Sequence, residues 1–170
     1  MSVASAAPIM ALEEVEDYLA GLREPGGTVV LTNGCFDLLH QGHVAFLQRC
    51  AGLGDRLLVG LNSDSSVASF KGPGRPTLPE RERAEILAAI RWVDAVVIFG
   101  QSTADELIRS VRPDIYAKGA DYDPQGGGRE LPELATVRTV GARLELIPLV
   151  PGVSTTVLLD KLRGPTVSDD

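Results

Sequence analysis

His40-Gln41-Gly42-His43 sets the chain's two histidines three residues apart, with a glycine between them. Residues three apart share a helix face, so both imidazoles can address one site. Where such a pair opens a helix, free backbone N–H groups and the positive end of the helix dipole lie beside it, which suits phosphate. Gly42 removes the Cβ that would keep an anion from the backbone. The spacing also fits a satisfied structural pair, or two ligands of zinc, although no nearby Cys or carboxylate completes a zinc set. A second group, Ser154-Thr155-Thr156, opens a predicted helix and reads both as an N-cap and as an anion site. Lys71-Gly72-Pro73-Gly74-Arg75-Pro76 is a basic loop, either solvated or able to close over a ligand.

The elements that must position these groups follow from the hydrophobic pattern. Thr28–Thr32, Arg56–Leu61, Asp94–Phe99, Asp114–Ala117 and Arg143–Pro148 read as five short buried strands. Helices are expected at His43–Gly52, Ser63–Phe70, Leu78–Arg91, Thr103–Val111, Leu131–Val140 and Ser154–Leu162. An amphipathic helix over Leu12–Leu22 precedes them, stopped by Pro25-Gly26-Gly27, and Met1–Pro8 is expected to fray. Alternating strands and helices predict one Rossmann-like α/β domain, a five-stranded parallel sheet with helices on both faces. The expected layout is an extension and helix over residues 1–27, the domain over 28–163 and a tail over 164–170. Ligands bind such sheets at the carboxyl ends of strands, so chemistry is sought after Thr32, Leu61, Ala117 and Leu149. The first turn, Asn33-Gly34-Cys35-Phe36-Asp37, matches neither G-x-G-x-x-G nor the Walker pattern.

With 170 residues, the chain has the length of one domain. Its net charge of −7 argues against a general binder of nucleic acid or anionic membrane. No apolar run approaches the ~20 residues of a membrane span, and no basic segment precedes the small apolar N-terminus as in a signal peptide. Cys35 and Cys50 lack any metal or disulfide spacing. A cytoplasmic protein is expected.

Thr32 to His43, TNGCFDLLHQGH, resembles the signature of the cytidylyltransferase-like branch of the HIGH-type nucleotidyltransferases. Gly152-Val153-Ser154-Thr155-Thr156 resembles that branch's ISTT element. Within the branch the chain is most similar to the D-glycero-β-D-manno-heptose 1-phosphate adenylyltransferases. Leu53–Leu57, Asn62-Ser63-Asp64, Trp92-Val93-Asp94 and Arg112-Pro113-Asp114 leading to Lys118–Tyr122 carry that likeness. It runs from about Thr28 to Leu162. Two departures stand out: Ala120 replaces the family's usual glycine, and the loop Asp123–Arg129 carries three consecutive glycines.

The resemblance implies transfer of AMP from ATP to a D-glycero-D-manno-heptose 1-phosphate, forming ADP-heptose and pyrophosphate. The chief alternative is a glycerol 3-phosphate cytidylyltransferase, whose usual Arg is replaced here by Leu149-Val150-Pro151. A noncatalytic nucleotide-binding module is a further alternative. His40, His43 and Lys71 are the implied catalytic groups, and Asp37, Asp64 and Arg75 the implied sugar-phosphate contacts. Nucleotide contacts are implied for Asn33, Gly34, Cys35, Phe36, Gly42, Lys118, Gly119, Asp121, Ser154, Thr155 and Thr156. Mg²⁺ is expected to arrive with ATP, without a dedicated metal site in the protein. The expected assembly is a homodimer. A sugar kinase is expected to be a separate chain, because residues 1–27 cannot encode one.

Overall fold

The β-branched and leucine-rich runs form the strands of a parallel sheet, the inner ones largely buried on both faces and the two edge strands only partly covered. The strands are β1 (Ile9–Ala11), β2 (Val29–Gly34), β3 (Arg56–Asn62), β4 (Ala95–Phe99), β5 (Ile115–Gly119) and β6 (Arg143–Ile147). A computed structural model describes residues 6–22, 26–122 and 128–163. In it all six strands pair in parallel, in the order β1-β4-β3-β2-β5-β6. The chain winds outward from β2 to β4, then returns to lay β5 on the other side of β2. That reversal puts the topological switch point between the carboxyl ends of β2 and β5.

The helices are α1 (Val15–Leu22), α2 (Gln41–Ala51), α3 (Asp64–Lys71), α4 (Glu80–Ala88), α5 (Asp105–Val111), α6 (Leu134–Thr139) and α7 (Thr155–Arg163). Alternate strand residues feed two cores. Leu47 and Cys50 of α2 and Leu87 of α4 pack with Val30, Val59 and Ala117 on one face. Leu107 and Ile108 of α5 and Val137 of α6 pack with Leu31, Val97 and Tyr116 on the other.

The sheet has six strands rather than the expected five. The addition, β1, is three residues long and pairs only with β4, Ile9 against Val96. It falls where the sequence shows only a small apolar stretch, and a short 3₁₀ turn (Leu12–Glu14) separates it from α1. Three strands reach further than expected: β2 continues through Asn33-Gly34, β3 through Asn62 and β5 through Lys118-Gly119, carrying motif residues on rigid backbone. β4 and β5 start one residue later than expected, and the acidic residue before each, Asp94 and Asp114, binds neighbouring backbone. Val29 N–H donates to Asp114 Oδ2 and Leu57 N–H to Asp94 Oδ2, each at 2.8 Å. Residues 1–5 of the stretch expected to fray, Pro25 of the helix stop, residues 123–127 of the glycine loop and the tail 164–170 lie outside the described residues.

Candidate active site

A cleft of about 640 Å³ opens over the switch point. Its floor is the ends of β2 and β5 and the turn after β2. Asn33, Gly34, Cys35, Phe36, Lys118, Gly119 and Asp121 all line it. One wall is the start of α2 with His40, Gly42 and His43; beside it stands the start of α7 with Ser154, Thr155 and Thr156. Lys71 lines the rim, as the exposed last residue of α3 rather than a loop residue. Two segments more than a hundred residues apart in sequence thus meet: a Cβ on Gly42 would come within 3.7 Å of Val153.

The histidines have different jobs in this geometry. His40 is the N-cap of α2, its Nδ1 accepting from Gly42 N–H at 3.1 Å. A Cβ on Gly42 would stand 2.9 Å from His40 Cε1 and Nδ1, so the glycine makes room for that imidazole. Its amide pairs with His40, so the missing Cβ serves that imidazole as well as any anion approaching the backbone. His43 stacks on His40 with ring centroids 3.9 Å apart and meets the Phe36 ring at 5.3 Å. Its Nδ1 is buried without an aligned hydrogen-bond partner. Phe36 itself is held at φ +43°, a left-handed conformation costly for a residue with a side chain, in the turn beneath the imidazoles.

Burial depresses the His43 pKa to about 4, with His40 and Lys71 adding to the effect and the Leu38 backbone partly offsetting it. The ring is therefore neutral at pH 7. Because its folded pKa lies below the unfolded value of about 6.5, the stability it confers is complete above pH 6.5. That stability is lost as pH falls from there through 4. A proton NMR titration is expected to put the His43 midpoint near 4 in the free protein, and to move it upward when a triphosphate supplies negative charge. A free-state midpoint at 6.5 would refute the buried, charge-repelled environment.

Lys118 and Asn33 form the centre of the floor. Asn33 Oδ1 accepts from Tyr116 Oη at 2.6 Å and from Lys118 Nζ at 3.1 Å, and the Lys118 ammonium lies 4.5 Å from the Tyr122 ring centre. Burial lowers the Lys118 pKa, with Glu133 and Asp121 partly restoring it. Asp121 folds back over Gly119: a Cβ there would lie 2.5 Å from Asp121 Oδ1. Ser154 caps α7, its hydroxyl accepting from Val157 N–H at 3.2 Å, so the cap and a helix-start anion site coexist. Burial raises the Cys35 thiol pKa, leaving it an inert wall rather than a nucleophile.

The three implied sugar-phosphate contacts are placed differently. Asp37 borders the cleft but is only 2% exposed. Its carboxylate accepts from Thr77 N–H at 2.6 Å and Leu78 N–H at 3.3 Å, and lies 2.7 Å from Arg75 Nε. Arg75 and Asp37 therefore fix the 75–78 turn, and Arg75 does not line the cleft. Asp64 does not line it either; its Oδ1 accepts from the fully buried Arg83 at 2.6 Å. Arg83 also donates to the carbonyls of Cys35 (2.6 Å), Leu78 (2.9 Å) and Asn62 (3.0 Å). The sequence reading missed it, together with the cleft residues Asn62, Phe70, Tyr122 and Glu133. Spacing offers one signal: Arg83 stands four residues before Leu87, on the buried face of α4.

Among the described residues no group of three or more His, Cys, Asp or Glu side chains could hold a metal ion. No helix among them is long and apolar enough to cross a membrane. The α2/α7 half of the cleft instead presents hydroxyls, helix-start amides and imidazoles, a set that suits phosphate oxygens.

A family model described as cytidylyltransferase-like matches residues 31–159. The protein named Bifunctional protein HldE from Syntrophotalea carbinolica is 50% identical over 151 residues, 88% of this chain and 30% of that protein. Its namesake from Methylobacillus flagellatus is 44% identical over 163 residues, covering 95% and 32%. The chain thus spans about three-tenths of the length of these relatives. Among solved structures, a lipopolysaccharide core biosynthesis protein from Thermoplasma volcanium shares the fold at TM-score 0.60 and 23% identity, over 74% of this chain and 98% of that one. A pantoate-beta-alanine ligase from Francisella tularensis shares it at TM-score 0.58 and 11% identity, over 85% and 67%.

Proposed function

The chain belongs to the cytidylyltransferase-like family, and we propose that it transfers AMP from ATP to D-glycero-D-manno-heptose 1-phosphate, preferring the β anomer. The observation that carries this reading is the meeting of His40, His43 and the Ser154–Thr156 helix start on one wall of a cleft at the switch point. The choice of heptose rests on the motif resemblance over Thr28–Leu162. The 50% identity to a relative across 88% of the chain supports a shared domain.

In the proposed reaction a phosphate oxygen of the sugar 1-phosphate bonds to the α-phosphorus of ATP. The bond to the β-phosphate oxygen breaks, and pyrophosphate leaves with the electron pair. The nucleophile is already anionic, so no general base is needed and catalysis is alignment plus stabilisation of spreading negative charge. The α7 start and its hydroxyls hold the β- and γ-phosphates. His40, fixed by its bond to Gly42, and His43 face the phosphoryl groups, and Lys71 brings a mobile cation to the rim. Mg²⁺ enters as part of the ATP substrate, held by phosphates and water. Gly34, Phe36, Lys118 and Gly119 supply the floor beneath the nucleotide.

The test is pyrophosphate release over a grid of ATP and CTP against the α and β anomers of heptose 1-phosphate and glycerol 3-phosphate, with Mg²⁺. Release with ATP and the β-heptose 1-phosphate alone is the expected result. Release with CTP and glycerol 3-phosphate would keep the transfer chemistry and overturn the substrate. ATP binding without release from any pair would leave a binding module.

A further inference from the structure

We infer that Glu133 is a substrate-binding residue whose carboxylate accepts hydrogen bonds from ring hydroxyls of the acceptor sugar, an inference that rests on the sugar-phosphate reading above. Glu133 is 5% exposed, yet it lines the cleft. Its carboxylate makes one hydrogen bond among the described residues, Oε1 accepting from Ala104 N–H at 3.1 Å, and it enters no ion pair there. The Lys118 ammonium on the cleft floor feels the Glu133 charge but does not pair with it directly, and holding a carboxylate out of bulk water is costly unless another donor completes it. Ala104 satisfies one oxygen only.

Its position in the fold says which donor. Glu133 and Thr103 stand in the turns before α6 and α5, the helices that cover the sheet face opposite α2. The imidazoles of α2 gather phosphate on their side of the cleft, so a triphosphate bound there keeps its charge away from this carboxylate. In-line displacement requires the attacking oxygen to approach from the side opposite the leaving pyrophosphate. The acceptor must therefore enter over the α5/α6 side, where Glu133 waits. A neutral polyol carries vicinal O–H donors, and a charged carboxylate is a strong acceptor for them. A ribose has the same chemistry, so the nucleotide's own hydroxyls are the competing source.

Glu133→Gln keeps an oxygen that can accept from Ala104 N–H and removes the charge. Steady-state kinetics of this variant are expected to show a KM for heptose 1-phosphate raised about tenfold, the scale of losing a hydrogen bond to a charged group. The KM for ATP should change less than about twofold, with an unaltered melting temperature. A raised KM for ATP instead would assign the carboxylate to the ribose and overturn the inference. Unchanged KM values with a lowered melting temperature would reduce Glu133 to a helix cap and also overturn it. Calorimetric binding of heptose 1-phosphate to protein saturated with a non-hydrolysable ATP analogue gives a readout independent of chemistry. Weaker binding by the variant supports the inference even if the wild type releases no pyrophosphate, which would defeat the transfer reading alone. Equal binding by both defeats only the inference, and binding by neither defeats both.

Discussion

His43→Ala is expected to lower kcat by about 10²-fold or more, the scale of losing one donor to a developing oxyanion, while the KM for ATP changes far less. The ring stands in the cleft between His40 and Phe36 rather than in either core, so its loss leaves a water-accessible gap and the fold intact. His40→Ala should behave differently. It deletes the N-cap of α2, costing about 1 kcal/mol of stability, in addition to any loss of rate. The two variants are separable by a second readout. Wild-type stability loses the His43 contribution between pH 6.5 and about 4, where the unfolded chain takes up a proton that the buried ring resists. His43→Ala abolishes that component of the pH dependence, since the group that titrates is gone. Near-normal turnover in His43→Ala would remove the residue from transition-state stabilisation, whatever its effect on the pH profile.

Much of this site was legible because its chemistry lies in contiguous motifs. His40 and His43 mark themselves by spacing and by the glycine between them, and Ser154-Thr155-Thr156 by standing at a helix start. The alternation of strands and helices then predicts that both meet at the carboxyl edge of one sheet, as they do in the cleft. What stayed hidden depends on tertiary partners. β1 exists because Ile9–Ala11 finds β4, a pairing 87 residues away that leaves no local pattern. Asp64 and Arg75, exposed-looking charges beside the motifs, turn out to be taken by Arg83 and Asp37. Glu133 looked like an ordinary helix residue because its significance lies in the bond to Ala104, 29 positions earlier. Sequence reading finds groups that act together on one element; it overlooks single residues that join several.

Arg83 is the extreme case of such a joint. Arg83→Met is expected to destabilise the chain by about 3 kcal/mol or more, the sum of several carbonyls losing their donors. Its guanidinium has no exposed surface, and its nitrogens reach Leu78 O, Cys35 O, Asn62 O and Asp64 Oδ1. Cys35 lies in the turn after β2 and Asn62 at the end of β3, so one side chain ties two loops of the candidate site to α4. Methionine fills much of the volume and supplies no donor. Asp64 is partly exposed and can rehydrate, so most of the cost falls on the carbonyls. Arg83→Lys keeps the charge but not the planar fork, and a single ammonium cannot serve partners spread in several directions. It should recover only part of the loss. Urea denaturation reads the stability, and ATP affinity at low temperature, where the variant is still folded, reads the site. A loss below about 1 kcal/mol with unchanged ATP affinity would show that water replaces the guanidinium and that the turn after β2 holds its shape without it.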